Sequence, residues 1–172
     1  YECLDTVLAW SASQLGTIRS APKTLRLRET VARCVGLFEN VAARKPVALE
    51  NGVPPEARVS ADEDQLLSIL RNLLSNAVKF TPAGGRISLR AARKGDFWKI
   101  SVADTGVGMS EGKVRSLFEA VPMTSTPGTN QEKGVGLGLQ ICRDFVRQQG
   151  GVFTVESRLG EGSTFSFTLP AA

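Results

Sequence analysis

The 172-residue sequence predicts an α/β fold: a two-layer sandwich with three helices on one face of a mixed sheet, plus a short N-terminal helix. Three observations predict it. Apolar residues recur at helical spacing over 29–44, 62–80 and 136–149, and alternate at a spacing of two over 86–92, 97–103, 152–157 and 164–169. Gly and Pro clusters separate these stretches and give the order β-α-β-α-β-β-loop-α-β-β. Hydrophobic residues make up 42% and charged residues 22%, the balance of a chain that builds its own core. At this length, folding buries roughly 70% of the unfolded surface, so no disulfide or metal staple is required.

Each element has a local reason. Leu4, Val7, Leu8, Leu15 and Ile18 recur at a near-heptad spacing over residues 1–20, which reads either as the end of a helix packed on a partner helix or as an amphipathic helix lying on its own domain. Pro22 ends it, leaving a linker at 19–23 and a main domain over 21–172. A strand over 24–27 precedes a helix from Glu29 to Arg44 whose buried face carries Val31, Val35, Phe38 and Val41/Ala42. Val47–Glu50 and Arg58–Ser60 are short extended pieces around an Asn51-Gly52 and Pro54-Pro55 loop. Asp62, with Gln65 three residues on, forms a capping box that opens a long helix to Phe80. Pro82 and Gly84-Gly85 stop that helix, and Lys94-Gly95-Asp96 turns one strand into the next. Residues 104–133 are rich in Gly, Ser, Thr and Pro, with one helical stretch over 113–118, and a loop this long in a compact domain is usually functional. Gly150-Gly151 ends the last helix, and a hairpin around Gly160-Glu161-Gly162 closes the chain.

Composition narrows the chemistry. The sequence has no histidine, which excludes a His-ligated zinc site, a Ser-His-Asp or Cys-His nucleophile, and a phosphohistidine on this chain. Cys3, Cys34 and Cys142 are odd in number and form no C-x-x-C pair, so they read as reduced, packed thiols of a cytoplasmic protein. The net charge of +4 comes from scattered Lys and Arg without a basic stripe, and predicts no nucleic-acid partner. No apolar stretch reaches the ~18 residues of a membrane span, so no membrane contact by this fragment is expected. The first residue is Tyr, not Met, and the chain reads as a piece of a longer protein.

Four clusters carry chemistry. Along the long helix, advancing about 100° per residue, Gln65, Asn72, Asn76 and Lys79 form a stripe beside the apolar arc of Leu66, Ile69, Leu73, Ala77 and Phe80. The stripe is either a solvated helix edge or a site where amide oxygens coordinate a hard cation and the lysine meets a phosphate. Asp104-Thr105-Gly106-Val107-Gly108-Met109 follows a buried strand: either a tight turn, or a carboxylate that accepts from an exocyclic amine, with glycines admitting a planar ring. Lys133 precedes Gly134-Val135-Gly136-Leu137-Gly138-Leu139 at a helix start, a place suited to an anion but matching neither a Walker A motif nor a dinucleotide fingerprint. Gly160-Glu161-Gly162-Ser163 alone is a hairpin turn.

In this order and spacing, over about residues 24–170, the sequence resembles the ATP-binding catalytic domain of two-component sensor histidine kinases, in the wider Bergerat-fold (GHKL) family with heat-shock chaperones, DNA gyrase, MutL and the anti-sigma-factor kinases. Asn72–Thr81 is similar to its N box, Asp104–Met109 to its first glycine box, Leu117–Glu119 to its F box, Gly134–Leu139 to its second glycine box and Gly160–Ser163 to its third. The resemblance implies ATP and Mg2+ as cofactors. It implies that Asn76 holds Mg2+, that Asn72 and Lys79 approach the phosphates as the catalytic pair, and that Asp104 receives the adenine amine with Ser163 beside it. Phe80, Gly106, Gly108, Met109, Phe118 and residues 133–139 would complete the ATP site, with 119–133 as a lid. The hydrolysing branch of the family resembles Glu-x-x-x-Asn, whereas Asn72 stands at the glutamate's place, and an amide cannot be a general base.

The implied activity is donation of the γ-phosphoryl group to a histidine on a separate dimerisation domain of the same protein, whose second helix would end in residues 1–20. The implied partners are that domain, a response-regulator receiver domain and a second copy in a full-length homodimer. The implied location is the cytoplasm, either free or as the cytosolic part of a membrane-bound sensor. Departures from the pattern are Ala120-Val121-Pro122 after the F box and Val135 where threonine is common. The alternatives are an anti-sigma-type serine kinase and a degenerate nucleotide-binding or heterodimerisation module.

Overall fold

The structure, a computed structural model, describes residues 20–117 and 138–172. The expected N-terminal helix, Phe118 and residues 133–137 lie outside the described residues. In chain order the elements are β1 (Lys23–Arg26), α1 (Leu27–Arg44), β2 (Ala48–Gly52), β3 (Arg58–Ala61), α2 (Glu63–Phe80), β4 (Arg86–Lys94), β5 (Phe97–Asp104), α3 (Glu111–Ser116), α4 (Gly138–Gln148), β6 (Phe153–Arg158) and β7 (Gly162–Pro170). The main sheet runs β2-β4-β5-β7-β6, with β2 parallel to β4 and every other pair antiparallel. The long helices α1, α2 and α4 pack side by side against the sheet, which is the expected sandwich.

Two local readings change. First, β1 and β3 do not join the main sheet; they form an antiparallel ribbon, tied to the chain end by a bridge from Val59 to Ala171. Second, Leu27 is the first residue of α1 and not the end of a strand, and Val41 is 50% exposed while Ala42 takes the buried position. The backbone N–H of Leu27 donates to Ala57 in the β2–β3 connection, a contact no local pattern announces.

Side-chain alternation decides which face of the sheet meets the helices. Trp98, Ile100, Val102 and Asp104 of β5 are buried, in register with Leu169, Phe167, Phe165 and Ser163 of β7. Leu66, Ile69, Leu70, Leu73 and Leu74 of α2 are fully buried above them, so truncating any one to Ala costs about 2–5 kcal/mol. Cys34 and Cys142 are free thiols in this core; burial pushes Cys34 up to about 11 and Cys142 higher still, so both stay protonated as packed apolar groups. Among the described residues no helix is long and apolar enough to cross a membrane.

Candidate functional site

The core face of the sheet turns polar at one end. There Asp104 closes β5, opposite Ile87 of β4 and Ser163 of β7, and Ser163 in turn lies opposite Ser157 of β6. Asp104 is 9% exposed. Burial pushes its carboxyl above the usual 3.8, opposed by the backbone N–H groups of Gly106 and Ser163. The Gly106 bond, at 2.8 Å, fixes one carboxylate oxygen, and beyond it and the Ser163 N–H the group keeps acceptor lone pairs for a ligand.

The loop after Asp104 is pinned to α2. Val107 N–H donates to the Phe80 carbonyl at 3.1 Å, and Thr105 exchanges bonds with the backbone of Arg86. A Cβ at Gly106 would stand 2.5 Å from the Phe80 carbonyl oxygen, so only glycine passes there. Gly108 has φ +63° and lies against the Arg158 and Gly162 carbonyls, which excludes a side chain twice over. Met109 N–H ends the loop on Ser157 Oγ at 2.8 Å. The third glycine motif is thereby stacked on the first, and Gly160 N–H donates to Val107 at 2.8 Å.

Three of the four residues of the α2 stripe, Asn72, Asn76 and Lys79, fall together as the angles predict. Asp62 caps the helix by accepting from Gln65 N–H at 3.0 Å. Asn72, Asn76, Lys79 and Phe80 are each half-buried along one edge. Asn72 Nδ2 donates to the Ser68 carbonyl at 3.0 Å, and its Oδ1 faces Gly138 at the start of α4, where a Cβ would approach within 2.5 Å. The N-box asparagine and the described end of the second glycine motif thus meet, and Leu139 packs on the core beside them. Lys79 Nζ lies 4.9 Å from the centre of the Phe80 ring. Gln65, on the same stripe by angle, departs from it: its Nε2 donates to Gln148 of α4 at 3.2 Å and it is buried away from this end of the helix.

Sequence reasoning missed two residues here. Lys45, 8% exposed, donates from Nζ to the carbonyls of Val78 and Lys79 at 2.8 Å each. With Thr81 on Ala77 and Val107 on Phe80, all four terminal carbonyls of α2 are satisfied. Ser157 is the other, lying outside every glycine motif. A Lys-Pro after a helix and a serine in an alternating strand carry no local signal for either role.

The arrangement, a buried carboxylate in a glycine-lined floor beside a helix edge of two amides and an ammonium, can accept an amine of a planar base at one end and meet phosphates at the other. A family match agrees with it: residues 61–172 match the family described as histidine kinase-, DNA gyrase B-, and HSP90-like ATPase. The chain belongs to this family, and it is of the kind that serves sensor histidine kinases as their ATP-binding catalytic domain. It is 43% identical over 172 residues to the circadian input-output histidine kinase CikA of Synechococcus elongatus, covering 98% of this chain and 23% of that one. It is 40% identical over 145 residues to the histidine protein kinase DivJ of Caulobacter vibrioides, covering 83% and 24%. Among solved structures, the catalytic domain of histidine kinase ThkA superposes with a TM-score of 0.76 at 26% identity, covering 87% of this chain and 95% of that one. Full-length ShkA in complex with AMPPNP superposes with a TM-score of 0.80 at 31% identity, covering 98% and 35%. The chain spans 20–43% of the length of the curated relatives it matches.

Proposed function

We propose that this chain binds ATP with Mg2+ and presents the γ-phosphoryl group to a histidine on a separate dimerisation domain of a longer sensor kinase. The carrying observation is the Asp104 cluster: a buried carboxylate, held by Gly106 N–H, beneath a loop bonded to the end of α2. Asp104 and Ser163 take the base, while Asn72 and Lys79, about two turns apart on α2, lie on the phosphate side.

Among the described residues no three His, Cys, Asp or Glu side chains gather as a metal cage. Two amides on a half-buried helix edge instead fit an ion that arrives already bound to phosphates, as Mg2+ does. Asn76 is the ligand we assign to it, and when bound it would supply charge neutralisation at the phosphates. This chain's own residues supply orientation. Asp104 fixes the base, Lys79 offsets phosphate charge, and Asn72, which cannot take a proton from water, leaves the phosphoryl group for a protein acceptor. A receiver domain of a response regulator and a second copy of the full-length protein are the further partners of this reading, and its compartment is the cytoplasm.

The test is incubation of the chain with γ-labelled ATP, Mg2+ and a histidine-bearing dimerisation domain. Label on that domain in an acid-labile form is expected, with none on this chain, which has no histidine. Label confined to a serine-bearing acceptor, or none on any acceptor despite nucleotide binding, would overturn it.

A further inference from the structure

We infer that Ser157 is a positioning residue for base recognition: it holds the Ser163 hydroxyl so that its lone pairs face the bound base. The polar edge of the site then presents two acceptors, the Asp104 carboxylate and the Ser163 oxygen. This rests on the nucleotide reading above. Ser157 lies opposite Ser163 in the β6–β7 register, Ser163 lies opposite Asp104 in the β5–β7 register, and all three line one open cleft of about 660 Å3.

The orientation follows from counting protons. Ser157 Oγ receives the Met109 N–H at 2.8 Å and lies 2.9 Å from both the Gly162 carbonyl oxygen and Ser163 Oγ. A serine hydroxyl has one proton and two lone pairs. An amide N–H can only donate and a carbonyl can only accept, so two of the three bonds have a fixed sense. The Ser157 proton goes to Gly162, and one lone pair takes Met109. The remaining lone pair is filled by the Ser163 proton. Any other assignment leaves the Gly162 carbonyl without this donor. Ser163 thus turns its oxygen to the cleft as an acceptor. The ligand chemistry matching two adjacent acceptors is a primary amine on a planar ring, one hydrogen to Asp104 and the other to Ser163. Ser157 therefore contributes to selecting a 6-amino purine without touching it.

The test compares ADP with purine riboside diphosphate, which keeps every ring nitrogen and lacks only the amine. The dissociation-constant ratio of the two reports the worth of the amine, and the Asp104 share is common to all variants. Ser157→Ala frees Ser163 to rotate, and the ratio is expected to fall by about fivefold, the range of one neutral hydrogen bond. Ser157→Thr keeps the hydroxyl and is expected to keep the ratio. Equal weakening of both ligands by Ser157→Ala, leaving the ratio unchanged, would overturn the inference and assign Ser157 a structural role. If Ser157→Ala does not fold, Ser163→Ala reads the same bond from its other end, and an unchanged ratio there overturns it equally. Wild-type chain that binds neither ligand would instead sink the underlying nucleotide reading, and this inference with it.

Discussion

Replacing Gly106 with alanine tests the joint between α2 and the loop proposed to bind the base. The new Cβ would stand 2.5 Å from the Phe80 carbonyl oxygen, 2.6 Å from Asp104 Oδ1 and 2.9 Å from the Phe80 carbonyl carbon. Two of these are backbone atoms, so no side-chain rotation relieves the overlap. The loop must move, and two bonds are at stake: Val107 N–H to Phe80, a neutral bond, and Gly106 N–H to the Asp104 carboxylate, a charge-assisted one. Their combined loss is about 2–4 kcal/mol. For a domain of this size that lowers the melting temperature by about 5–15 °C. Displacing Asp104 would also remove the proposed amine contact, so ADP affinity should fall by about tenfold or more. Urea denaturation reads the first effect and calorimetric titration the second. Gly36→Ala is the matched control: it lies mid-helix in α1 with nothing within 4 Å of its Cβ, and should stabilise by about 0.5–1 kcal/mol. A Gly106→Ala chain within about 0.5 kcal/mol of wild type and with full ADP affinity would refute the reasoning, because a loss of that size is what surface substitutions give.

Three further outcomes are expected. Lys45→Met leaves the Val78 and Lys79 carbonyls without their ammonium and should destabilise the fold by about 2–4 kcal/mol, measured by urea denaturation; a neutral effect would mean the α2 terminus is satisfied otherwise. Glu63 is bonded to Lys23 and Arg33, which hold its carboxyl below the usual 4.5; ionisation is thus favoured by folding, and its contribution is present above pH 4.5 and lost as pH falls through the lower folded value. Glu63→Gln should therefore be less stable than wild type at pH 7, with the gap closing in more acidic solution, and a gap that does not depend on pH would contradict the assignment. Asn76→Ala should abolish the Mg2+ dependence of ATP binding while leaving the melting temperature of the empty chain nearly unchanged, and retained Mg2+ dependence would place the ion elsewhere.

What the sequence made legible was whatever is encoded within one or two turns of chain. The Asp62 N-cap, the long amphipathic α2 with its asparagine edge, the alternating β4–β5 and β6–β7 pairs and the first and third glycine motifs all stand at short spacing, and each is where the pattern put it. The reciprocal half of the Asp62–Gln65 capping box does not form: Asp62 N–H donates to Gln149 instead. The contacts that assemble the site are different in kind. Ser157 meets a loop 48 residues earlier and Lys45 meets a helix end 33 residues later, and neither partner can be found from periodicity. Gln65 illustrates the converse. Its angle on α2 is that of the ligand stripe, yet four turns of helix separate two environments, and at the N-terminal end α4 covers that edge through Gln148. The two strands of the β1–β3 ribbon were legible as extended pieces, but their pairing was not, for the same reason: the partners lie about 35 residues apart and no local pattern joins them.

Asp104 carries the central claim, and the most direct measurement is calorimetric titration of the chain with ATP, with and without Mg2+, for wild type and Asp104→Asn. The account predicts binding that Mg2+ strengthens, and its loss by about tenfold or more in the variant, since an amide in place of the carboxylate turns a charge-assisted acceptor into a weaker one. Equal ATP affinity in the two chains, both folded, would contradict it.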